Sequence, residues 1–80
     1  MTDKQKKDFI SAWFETMAQY HHHDHLADDA YDQNDETAHE FHTLQADQYR
    51  NQLIGMERCL QIIGYKVSVV NGVPTVIEKI

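Results

Sequence analysis

The residues best suited to chemistry are six histidines set among carboxylates. His21-His22-His23-Asp24-His25 forms one run, and His39 and His42 follow about one helix length later. On a helix His21 and His25 lie one turn apart and His39 and His42 three residues apart, so either pair has metal-ligand spacing, and facing helices of a bundle do build such sites. The plainer expectation is that imidazoles at a polar tip are solvated or bonded to the nearby carboxylates, which would raise their pKa values above about 6.5. The known metal motifs are missing. His39-Glu40-Phe41-His42 is one residue short of H-E-x-x-H, and a calcium loop read from Asp32 has Thr37 in place of its Gly and Thr43 in place of its Glu. No metal and no cofactor is therefore expected, with His21, His25, His39 and His42 as the set a metal would use.

Other catalytic arrangements find little support. Cys59 stands beside Leu60 and near Met56, which predicts a packed thiol on the apolar side of a helix and not an activated nucleophile. Ser11 and Ser68 have no nucleophile-elbow context, and no glycine-rich phosphate loop exists. An enzyme is not expected.

The carboxylates carry a stronger signal. Net charge is −6, yet no Lys or Arg lies between Asp8 and Tyr49 while ten acidic residues do. A sequence-independent hold on nucleic acid needs the opposite sign, so direct binding through this region is not expected. Asp24, Asp28 and Asp32 recur at i, i+4 and i+8, which sets carboxylates roughly 6 Å apart along one helical face. With Asp29, Asp35, Glu36 and Glu40 they form an acidic tip suited to a protein partner with a basic surface. Small acidic phage proteins, including anti-restriction and anti-CRISPR inhibitors, occupy basic nucleic-acid grooves in this way, and in size and charge the chain resembles such phage or prophage products. That resemblance implies an inhibitor that competes with nucleic acid for an enzyme's groove.

These groups must be positioned by elements the sequence marks well. Thr2 and Gln5 have the form of a capping box, with Asp3 in the first turn. From there Phe9, Ile10, Trp13, Phe14, Met17 and Tyr20 recur at helical spacing, predicting a helix over about 3–30. Tyr31-Asp32-Gln33-Asn34-Asp35 favours a turn, since Asp and Asn compete for backbone hydrogen bonds. A second helix over about 36–63 follows from Ala38, Phe41 or His42, Gln45, Tyr49, Leu53, Met56, Leu60 and Ile63, with Gly64 ending it. Two helices of about 28 residues span about 40 Å, and their matched lengths suit an antiparallel hairpin.

Beyond Gly64 the residues become β-branched, and Asn71-Gly72 between two such runs predicts a β-hairpin over about 65–79 with a type I′ turn. In that register Val70 pairs with Val73, Val69 with Pro74 and Val67 with Val76. One face then carries Tyr65, Val67, Val69, Pro74 and Val76, and the other Val70, Val73 and Ile77. Pro74 removes a donor from the second strand's edge and leaves the first strand the better one for pairing. The fold class is thus α+β and mainly helical, a long antiparallel helical hairpin followed by a C-terminal β-hairpin, with 1–80 as one domain.

Eighty residues bury only about 60–65% of their unfolded surface. Two helices cannot cover both the Ile10, Trp13, Met17 stripe and the adjacent Phe9, Phe14 stripe. Self-association through these residues, helped by Val67 and Val69 on the strands, follows as an expectation, giving a dimeric helical bundle. One Cys excludes an internal disulfide and suits a reducing compartment, no apolar run reaches the roughly 20 residues of a membrane span, and the N-terminus runs into an amphipathic segment; cytoplasmic residence is expected. Three functions compete: a self-associating interaction module, an acidic inhibitor of a nucleic-acid enzyme, and a His-carboxylate metal binder.

Overall fold

The computed structural model describes every residue except Gly72, and the side chains of Val73, Thr75 and Val76 also lie outside the description. Helix α1 spans Asp3–Asp32 and α2 spans Glu36–Ile62, followed by β1 (Tyr65–Val70) and β2 (Val73–Lys79). The helices pack antiparallel along a rod 47 Å long and about 20 Å across. The expected α+β architecture, a helical hairpin and then a β-hairpin, is the one observed.

The helix ends sit where local chemistry satisfies orphan backbone groups. At the start of α1, Gln5 N–H donates to Thr2 Oγ1 at 3.1 Å and Thr2 N–H donates to Gln5 Oε1 at 2.9 Å, the reciprocal pair of a capping box. Between the helices Asn34 adopts φ 58, the left-handed conformation that Asn tolerates, and Asp35 caps α2 by accepting from Ala38 N–H at 3.1 Å. Past Ile63, Gly64 takes φ +86 and turns the chain toward β1.

The contact surface between the helices repeats every seven residues. On α1 the half-buried or buried positions run Phe9, Trp13, Thr16, Tyr20, His23, Ala27, Ala30; on α2 they run His39, His42, Ala46, Tyr49, Leu53, Met56, Leu60. A sustained 3-4 spacing is the pattern that keeps one seam facing its partner. It decides between Phe41 and His42: His42 is half-buried and Phe41 is 54% exposed. It also corrects the expectation for Cys59, which is exposed. Met56 and Leu60 already occupy the seam, and Cys59 lies about 100° around the helix from Leu60.

The strands pair antiparallel, with Val70 opposite Val73 and Val69 opposite Pro74 as expected from the turn. Asn71 has φ 54, in keeping with the first central residue of a type I′ turn, while Gly72 lies outside the described residues. Farther along, the expected pairing of Val67 with Val76 is overturned: Val67 lies opposite Ile77 and Ser68 opposite Val76. Between Pro74 and Val76, β2 has one residue more than β1, Thr75, so a bulge shifts the register. A one-residue shift exchanges faces. Ile77, expected on the outer face, therefore joins Val67 and Pro74 on the inner one and is only 4% exposed. The hairpin sits on the helices, β1 against α2 and β2 against α1. Tyr65 adds a tie to the start of α1, where its hydroxyl accepts from the Met1 ammonium at 2.6 Å and its ring lies 6.0 Å from Lys6 Nζ.

Candidate functional site

Continuing the seven-residue repeat past Trp13 carries imidazoles into the seam near the rod's tip. His23 on α1 and His42 on α2 approach Nδ1 to Nδ1 at 3.1 Å. His23 also lies nearly parallel to Tyr49, with ring centroids 5.7 Å apart and planes at 12°. One turn closer to the tip, His39 Nδ1 donates to the Ala27 carbonyl at 2.8 Å, which places that ring's proton on Nδ1. Both ties are made by imidazoles at the end of the bundle where Ala27, Ala30 and Ala46 let the helices close.

The His23 and His42 centroids are 5.3 Å apart, so the rings meet edge to edge with their Nδ1 atoms lying between them. This is the alignment of an N–H···N hydrogen bond, in which one ring donates and the other accepts. A metal at about 2.0–2.1 Å from each nitrogen would need the two lone pairs to converge on a point beside that line. The four histidines singled out as metal ligands are not gathered either: His21 and His25 are exposed, while His39 and His42 make the separate contacts just given. Among the described residues no group of three or more His, Cys, Asp or Glu side chains is placed to hold a metal ion.

The expectation that carboxylates raise the imidazole pKa values fails at His23. Its pKa is lowered from 6.5, first by desolvation in the seam and then by the neighbouring rings of His22 and His42. The side chain missed in the sequence was His23, and the available signal was its spacing: seven residues after Thr16, three after Tyr20 and four before Ala27.

The acidic residues behave differently. Asp24, Asp28, Asp29, Asp32, Asp35, Glu36 and Glu40 are all exposed. Among the described residues the one contact of ion-pair length at this end sets His25 Nε2 3.4 Å from Asp29 Oδ2, an ion pair only when the ring carries a second proton, and no Lys or Arg neutralises the rest. Asp32, Asp35 and Glu36 line a shallow groove of about 350 Å³ with Tyr31, Asn34 and His39.

Of the residues expected to associate, Trp13 is buried within the subunit, and Phe9, Ile10, Met17 and Val67 are half-buried. Phe14 and Val69 are exposed, at 56% and 44%. Further large apolar side chains are uncovered on α2 and at the base: Phe41, Leu44, Ile54, Ile62, Ile63 and Ile80. Ile80 lies beside the end of α2, its N–H donating to the Gly64 carbonyl at 2.8 Å. Among the described residues no helix is long and apolar enough to cross a membrane. Comparison with known protein families, with characterised proteins and with solved structures gives no match for this chain.

Proposed function

We propose that the chain is a protein-protein interaction module whose first partner is a second copy of itself. The observation that carries this reading is the imbalance between its core and its surface. Among the described residues six hydrophobic side chains are buried, three of them alanines, while ten large ones are exposed. Burying a large apolar side chain stabilises by about 1.5–3 kcal/mol, so the uncovered set holds more potential stabilisation than the covered one. Sedimentation equilibrium at micromolar concentration tests this: the mass should exceed the 9.4 kDa of one chain, and a monomer across the concentration range would remove the proposal.

The acidic tip supports a second reading, capture of a partner with a basic groove. Its support is that Asp24, Asp28 and Asp32 share one exposed helical face with no Lys or Arg partner among the described residues. A contact of this kind is screened by salt, whereas apolar association is not. Asparagine at all three positions should abolish low-salt capture of basic proteins; unchanged capture would remove the acidic face from the argument.

A further inference from the structure

The outward side of α2 carries a second seven-residue repeat, opposite in sense to the seam. Phe41, Leu44, Gln48, Asn51, Gly55, Arg58 and Ile62 follow one another at intervals of three or four residues, and all are exposed. The large apolar members stand at the two ends of this stripe, with Phe41 54%, Leu44 57% and Ile62 83% exposed. Near its middle is Gly55, where a Cβ would meet nothing within 4 Å. A mid-helix glycine is destabilising relative to alanine, and at a helix crossing it lets two backbones approach closely.

The rod is also polarised along its length. Residues 21–49, which form the tip half, contain eight carboxylates and no Lys or Arg, while the base half holds all seven basic residues with the other five carboxylates, a net charge of +2. A second rod laid parallel would set tip against tip and repel. Laid antiparallel, it sets each acidic tip beside a basic base.

From these two observations we infer that two copies pack antiparallel along the outer stripes of α2, about a two-fold axis near Asn51 and Gln52. This deepens the self-association proposed above and rests on it. The axis position follows from the stripe. Centred there, Phe41 falls beside Ile62 of the partner subunit, Leu44 beside Cys59 of the partner subunit, and Gln48 beside Gly55 of the partner subunit. The two apolar ends of one stripe are thereby matched with those of the other, and the glycines flank the centre. A two-fold contact is self-complementary and closes at two copies.

Disulfide trapping reads this geometry directly, because Cys59 is the sole cysteine. In the antiparallel pair the two Cys59 residues lie about 22 Å apart along the axis, from 15 residues at 1.5 Å each, too far for a bond that needs Cα atoms within about 7 Å. Wild type should therefore remain unlinked under mild oxidation. Leu44→Cys with Cys59 retained should give a linked dimer, and so should Asn51→Cys combined with Cys59→Ser, since position 51 sits at the axis. A Cys59-Cys59 link in wild type, or no link in both variants while sedimentation still reports a dimer, would overturn this arrangement and leave self-association standing. A monomer in sedimentation would remove both.

Discussion

His23 and His42 face each other Nδ1 to Nδ1 at 3.1 Å across the helical seam, sharing one hydrogen bond in which one ring donates and the other accepts. One proton on that axis satisfies the pair; two place donor against donor. The ring of Tyr49 lies nearly parallel to His23 with centroids 5.7 Å apart, and His22 adjoins it on α1.

Stability should consequently fall in mild acid. The unfolded imidazole titrates near about 6.5, and the folded His23 is held lower by desolvation, then by His22 and His42. Between those values the folded chain binds fewer protons than the unfolded one, so the contribution is fully present above about 6.5 and is lost as pH falls through the folded value. Urea unfolding between about pH 8 and about pH 5 should show a falling midpoint that flattens in His23→Leu. A midpoint that rises in acid would contradict the seam placement.

Trp13→Ala should cost about 3–5 kcal/mol, a large part of the about 5–15 kcal/mol that stabilises a small domain. Trp13 is 5% exposed, and its indole N–H has no hydrogen-bond partner among the described residues. Trp13→Phe keeps most of the buried area and loses no such bond, so it should cost much less. Equal losses in thermal melts would mean that the indole N–H has a partner.

Gly64→Ala should destabilise by about 1–2 kcal/mol, because φ +86 places a Cβ in the left-handed region even though the space around it is open. The chemical denaturation midpoint measures this. A neutral result would mean that the chain leaves α2 by a different backbone path.

Asp35→Ala should cost about 1 kcal/mol through loss of the cap on the Ala38 N–H, and Asp35→Asn, which keeps an acceptor, should recover most of it. Circular dichroism melts of the two variants check the difference.

Much of this fold was legible in the sequence because its boundaries are local chemistry. Thr2 with Gln5, the Asn34-Asp35 turn and Gly64 each solve a backbone problem within a few residues, and each helix ends within two residues of its expected limit. What escaped depends on longer-range geometry. The bulge at Thr75 comes after a turn that registers Val69 and Val70 correctly, and nothing in the local pattern distinguishes Val76 from Ile77 as the partner of Val67. Cys59 looked apolar by its neighbours, yet it lies off the stripe that Met56 and Leu60 define. His23 was grouped with its polar neighbours by composition, when the seven-residue spacing from Thr16 places it in the seam.

The central claim, that this thin-cored rod is completed by a second copy, is tested most directly by the concentration dependence of its melting temperature. Unfolding coupled to dissociation gains stability with concentration, about 2.7 kcal/mol per dimer for an about hundred-fold increase. A rise of several degrees over that range is expected. Superimposable, fully reversible melts at both concentrations would contradict the claim.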